Sequence, residues 1–159
     1  PEGGSNSLAV KGCEEIVNEI TNELTSPFDV SCCACVTGAT LAGIISACKS
    51  EQTAIGFSAL KGSDFLTTEV KTFLGNKNTS SKWHIENDFH FGGYAKINDA
   101  LIQFMSEFQL QYGFALDAVY TGKMFYGLFE LIKAKRFKPG TSIIAIHSGG
   151  LQGNKGFNL

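Results

Sequence analysis

Residues 28–45 constrain this chain more than any other stretch. An apolar run with strand character, Val30 to Cys35, stops at Thr37-Gly38-Ala39-Thr40, and an apolar run with helix character begins at once. Strand, small-residue turn and helix in that order predict a unit of a layered α/β fold. The same order gathers unpaired backbone N–H groups and the positive end of a helix dipole at one point, which suits an anion such as phosphate. The hydroxyls of Thr37 and Thr40 add donors. An ordinary turn with Thr37 as the helix N-cap explains the same residues equally well at this level.

The alternation continues along the chain. Ser5, Asn6 and Ser7 offer N-cap side chains for a helix to about Leu24, and Val10, Cys13, Val17, Ile20 and Leu24 mark its buried face. Thr53 to Ala59 reads as a buried strand, Asp64 as the cap of a helix through Phe73, and 75–81 as a polar loop. Trp83 to Phe89 alternates as a strand does, helices are predicted over 97–111 and from Tyr120 to about Lys135, and Ser142 to Ile146 reads as a last strand. Strands alternating with helices predict one α/β domain over 1–159, an open, mostly parallel sheet with helices on both faces. Ligands of such sheets sit beyond the carboxyl ends of the strands. Loops 35–40, 89–94 and 147–150 fall there, and 117–122 precedes a helix.

Composition narrows the class. With 159 residues, 43% hydrophobic and 18% charged, the chain is long and apolar enough for one real core. A net charge of −2 with scattered basic residues leaves no footprint for nucleic acid or an anionic membrane. No apolar run approaches the ~20 residues of a membrane span, and no signal-peptide pattern opens the chain. A soluble, cytoplasmic protein is expected. Pro1 to Asn6 reads as a loop entering a helix, so the chain is read as a segment of a longer protein. The five cysteines, at 13, 32, 33, 35 and 48, include a C-x-x-C spacing, yet strand alternation sends Cys32 and Cys35 to opposite faces. With no second Cys pair or His cluster, buried thiols are expected and a metal site is not.

Five loops together carry a resemblance. Pro1-Glu2-Gly3-Gly4-Ser5-Asn6, Thr37-Gly38-Ala39-Thr40-Leu41-Ala42-Gly43, Phe91-Gly92-Gly93-Tyr94, Val119-Tyr120-Thr121-Gly122-Lys123 and Ile146-His147-Ser148-Gly149-Gly150-Leu151 follow one order and spacing. In this the chain resembles the C-terminal half of the 1-aminocyclopropane-1-carboxylate deaminase/D-cysteine desulfhydrase family, pyridoxal-phosphate (PLP) enzymes of fold-type II. The resemblance implies a PLP cofactor acting as electron sink, a small amino-acid substrate, a 2-oxo acid and ammonia as products, and a homodimer. It assigns the phosphate cradle to Thr37, Gly38, Ala39 and Thr40, with Val36 just ahead of it as a further cofactor-binding position, and substrate-facing phenols to Tyr94 and Tyr120. Ser148 is matched to the residue beside the pyridine nitrogen, with Thr121 as a second hydroxyl near it.

Two departures qualify the match. Val36 stands where the family usually has Gly. A β-branched residue tolerates neither positive φ nor close ligand approach, at a cost of about 1–3 kcal/mol, so Val36→Gly is expected to tighten PLP binding. The Schiff-base lysine of the family has no match here. Lys11, Lys96 and Lys123 read as solvated surface residues, and the segment alone is expected to be inactive. Deaminases of the family typically pair Glu with the second tyrosine and Leu with the Ser148 position, whereas desulfhydrase-like members carry hydroxyls. Thr121 and Ser148 therefore favour D-cysteine desulfhydration over ring opening of the cyclopropane amino acid. A non-catalytic α/β module binding a phosphate ligand is the competing class, although neither Gly-x-Gly-x-x-Gly nor Gly-x-x-x-x-Gly-Lys-Ser/Thr is present.

Overall fold

A computed structural model describes residues 5–77, 79 and 81–157. Its elements are α1 (Ser7–Glu23), β1 (Val30–Cys35), α2 (Ala39–Ala47), β2 (Thr53–Ser58), α3 (Phe65–Leu74) and β3 (Lys82–Glu86). After them come α4 (Asp99–Tyr112), α5 (Thr121–Lys133), β4 (Ile143–Ala145) and a 3₁₀ turn, Leu151–Phe157. The four strands form one sheet in the order β3-β2-β1-β4. Each of the three pairings is parallel, with Cys32 opposite both Ile55 and Ala145.

Alternation along β1 splits the core in two. Cys33 and Cys35 face a cluster built with Val10, Leu41, Ile44, Leu66 and Val70 of α1, α2 and α3. Val30 and Cys32 face the opposite cluster, with Ile55, Phe57, Leu101, Met105, Phe108 and Leu128, so α4 and α5 cover the second face. Burying each large apolar side chain contributes about 1.5–3 kcal/mol, and both faces of the sheet use it. Helices on both faces of a parallel sheet are thus observed as the alternation predicts. Every predicted element is present, and most boundaries lie within two residues.

Local details differ. Asp64 stands at the start of α3, but its backbone is already helical and its side chain caps nothing. Ser63 takes over part of the turn: its carbonyl accepts the Leu66 N–H, and its hydroxyl donates to Asn87. Asn6 does cap α1, accepting the Ala9 N–H at 2.9 Å. In the polar loop over 75–81, residues 78 and 80 lie outside the described residues, as do residues 1–4 of the first quoted motif. α1 packs on α2 at Gly43, where a Cβ would stand 2.5 Å from both the Cys13 Cβ and the Val10 carbonyl oxygen. No helix among the described residues is long and apolar enough to cross a membrane.

Candidate active site

A cavity of about 790 Å³ opens beyond the carboxyl ends of the strands. Val36, Thr37 and Thr40 line it after β1, Leu60 after β2, Ser148 after β4, and Tyr94 and Tyr120 from the two remaining loops. Seven residues drawn from five separate stretches of chain thus meet at the place where sheets of this kind take ligands.

The turn between β1 and α2 is built around Gly38. With φ +87° it is the residue from which α2 starts, and no side chain caps the helix. A larger residue would be strained at that φ, and its Cβ would meet the Val70 side chain at 2.9 Å. The first-turn N–H groups of α2 are therefore left for a ligand. Thr37 is not the cap: its Oγ1 instead accepts from Ser5 Oγ at 2.5 Å, which ties the start of α1 to the cradle. Uncapped N–H groups, two threonine hydroxyls and the helix dipole fit a phosphate. Ala39 is buried and contributes backbone only. The strain expected of Val36 does not arise. Among the described residues the non-glycine positions with positive φ are Phe91, Ala95 and Lys135, so Val36 keeps ordinary backbone geometry and stands as a wall of the cavity.

In the same cavity the Tyr94 and Tyr120 hydroxyls lie 3.1 Å apart, with the rings edge to face. Burial and the Tyr94 hydroxyl push the Tyr120 phenol up to about 12, so it keeps its proton throughout the physiological range. Tyr120 sits at the start of α5, which Asp117 caps. The Asp117 carboxylate, wholly buried, accepts the N–H groups of Val119, Tyr120 and Thr121. It also accepts the Thr121 hydroxyl at 2.5 Å, and that oxygen in turn accepts the Asp117 N–H. Thr121 is consequently buried and internally satisfied, and the structure does not bring it to the cavity. Ser148 does reach it. His147 holds the Ser148 loop by donating from Nε2 to the Ala115 carbonyl and accepting the Gly149 N–H at Nδ1.

Lys123 requires a correction. Lys11 and Lys96 are exposed, but Lys123 is 1% exposed, and its Nζ donates to the carbonyls of His90 at 2.9 Å and Gly93 at 2.7 Å. Burial pulls its pKa down to about 8, partly opposed by the Asp117 carboxylate. A signal existed: Lys123, Gly127 and Leu131 lie four residues apart on the buried stripe of α5. Ser5 was legible only as a helix-start residue, and Asp117 and His147 act through loops that no local pattern joins.

No family model matches the chain. The bifunctional D-cysteine desulfhydrase/1-aminocyclopropane-1-carboxylate deaminase of Arabidopsis thaliana, a mitochondrial protein, is 32% identical over 167 residues, covering 96% of this chain and 41% of the relative. The 1-aminocyclopropane-1-carboxylate deaminase of Cyberlindnera saturnus is 30% identical over 149 residues, covering 86% and 43%. The crystal structure of an ACC deaminase homologue superposes with a TM-score of 0.82 at 28% identity, over 97% of this chain and 49% of that one. The fold is that of an α/β domain of the PLP-enzyme class. The chain belongs to the 1-aminocyclopropane-1-carboxylate deaminase/D-cysteine desulfhydrase family. It spans about half the length of the curated relatives it matches.

Proposed function

We propose that the full-length protein is a PLP-dependent enzyme that converts a small amino acid to a 2-oxo acid and ammonia, with D-cysteine as substrate and sulfide as a further product. One observation carries this reading: the Tyr94–Tyr120 pair lines the same cavity as Thr37 and Thr40 at the uncapped start of α2. When bound, PLP supplies an electron sink that makes the substrate Cα–H acidic. The α2 N-terminus with Thr37 and Thr40 would hold its phosphate, and Ser148 would meet its ring nitrogen. Tyr120, protonated and hydrogen-bonded to Tyr94, is suited to deliver a proton at the substrate side of the cavity. Among the described residues no lysine lines the cavity, so the covalent lysine is assigned to another part of the full-length protein and the segment alone to inactivity.

The choice of D-cysteine rests on the ring-nitrogen side. Ser148, which lines the cavity, would supply a hydroxyl there, while Asp117 is wholly buried and spends its carboxylate on the α5 cap. A carboxylate beside the nitrogen would favour its protonated form, whereas a hydroxyl leaves it neutral. A neutral ring suffices when a good leaving group departs from the β carbon. Incubating the full-length protein separately with D-cysteine and with the cyclopropane amino acid decides the matter. Sulfide and ammonia from D-cysteine are expected; ammonia from the cyclopropane substrate with no sulfide from D-cysteine overturns the assignment.

A further inference from the structure

We infer that Lys123 is a positioning residue, a clamp that sets the distance between the two tyrosine hydroxyls without itself entering the cavity. Its two acceptors are already turn-forming carbonyls. His90 O accepts the Gly93 N–H and Gly93 O accepts the Lys96 N–H, so Lys123 Nζ locks two successive turns, the one that leads into Tyr94 and the one that contains it. The loop needs such a lock. Phe91 and Ala95 have φ of 54° and 52°, a region unfavourable for side-chain-bearing residues, and Gly92 and Gly93 lie at 100° and 123°. The loop's other supports are a Gly92 N–H donated to His90 Nδ1 and the Phe91 ring, which packs edge-on against Tyr126 of α5. Tyr94 itself is half exposed, and its ring meets Tyr120 edge to face.

Lys123 also lies three residues beyond Tyr120, one turn along α5. A single helical turn therefore presents one phenol and grips the backbone that presents the other. The Asp117 cap fixes the start of that turn. Movement of the Tyr94 loop relative to Tyr120 must break an Nζ bond or carry α5 with it. The 3.1 Å separation is thus a property of α5 and its lysine. The clamp stands on geometry alone; its catalytic consequence rests on the PLP-enzyme reading above.

The test uses the full-length protein with Lys123→Ala and Lys123→Met, PLP-loaded and PLP-free. Alanine empties a lysine-sized channel that ammonium ion can enter, supplying the same N–H donors; methionine fills it with an apolar chain. Amide hydrogen exchange of residues 89–96 is expected to quicken about tenfold or more in both variants, while the sheet and α5 keep their protection. Ammonium chloride restores protection in Lys123→Ala and not in Lys123→Met, and sodium chloride restores neither. In turnover, kcat falls about tenfold with PLP affinity unchanged, and ammonium restores it in the alanine variant alone. Wild-type exchange at 89–96, protection lost across sheet and helices alike, no ammonium rescue, or a kcat that survives the loosened loop each overturns the clamp. If even the wild type turns over nothing, the enzyme reading fails while hydrogen exchange still decides the clamp.

Discussion

Tyr120 and Val36 show how much a single side chain decides here. The Tyr120 phenol is held protonated by burial and by Tyr94, and the proposed function has it meet the substrate and not the cofactor phosphate. Tyr120→Phe in the full-length protein is therefore expected to lower kcat by about 10²-fold or more, the range of a lost proton-transfer group, with PLP affinity within a factor of about three. Steady-state kinetics beside a PLP absorbance titration check the split; equal kcat would reduce Tyr120 to packing. Val36 is the opposite case. Its residue type announces strain only if the loop needs positive φ, and the chain gives that conformation to Gly38, two positions later. The identity of the odd residue was legible, but which backbone position carries the left-handed turn was not. Lys123 misleads in the same manner: a lysine after Gly122 reads as solvated until the Phe91–Tyr94 loop is placed over it.

Elements were legible where hydrophobic period alone decides them. β1 alternates so regularly that the opposed faces of Cys32 and Cys33 follow from spacing. Helix starts were less so, because capping depends on loop geometry: Asn6 caps, Asp64 does not, and Asp117 caps α5 from four residues before Thr121. The contact between α1 and α2 at Gly43 leaves no room for a methyl group. Gly43→Ala is expected to cost about 1–3 kcal/mol in denaturant unfolding and to weaken PLP binding, since α1 carries Ser5 to Thr37. Unchanged unfolding midpoints would show that the helices part freely.

Alkaline pH offers a second element-scale check on α5. Lys123 titrates near 8 when folded and near 10.5 when unfolded, so between these values the unfolded chain binds more protons and stability rises with pH. Cys32 and Cys35, pushed up to about 12 by burial, act oppositely: above pH 9 the unfolded chain loses protons first and stability falls. The thiol contribution cancels between wild type and Lys123→Met. The stability of wild type relative to that variant is expected to rise from pH 8 to 10, read as unfolding midpoints at each pH; a difference independent of pH would contradict the buried position of Lys123.

At the scale of the whole molecule, a four-stranded parallel sheet brings the threonines at the start of α2 and a pair of phenols to one cavity, in a chain that spans about half the length of its curated relatives. That the cavity takes PLP with its phosphate on the α2 N-terminus is the claim on which the functional reading depends. The dissociation constant of PLP from full-length protein with Thr40→Val, compared with wild type, measures it. A hydroxyl bonded to a charged phosphate contributes about 1.5–3 kcal/mol, so affinity is expected to fall about tenfold or more. An affinity equal to that of wild type would place the phosphate elsewhere and contradict the assignment of this cavity.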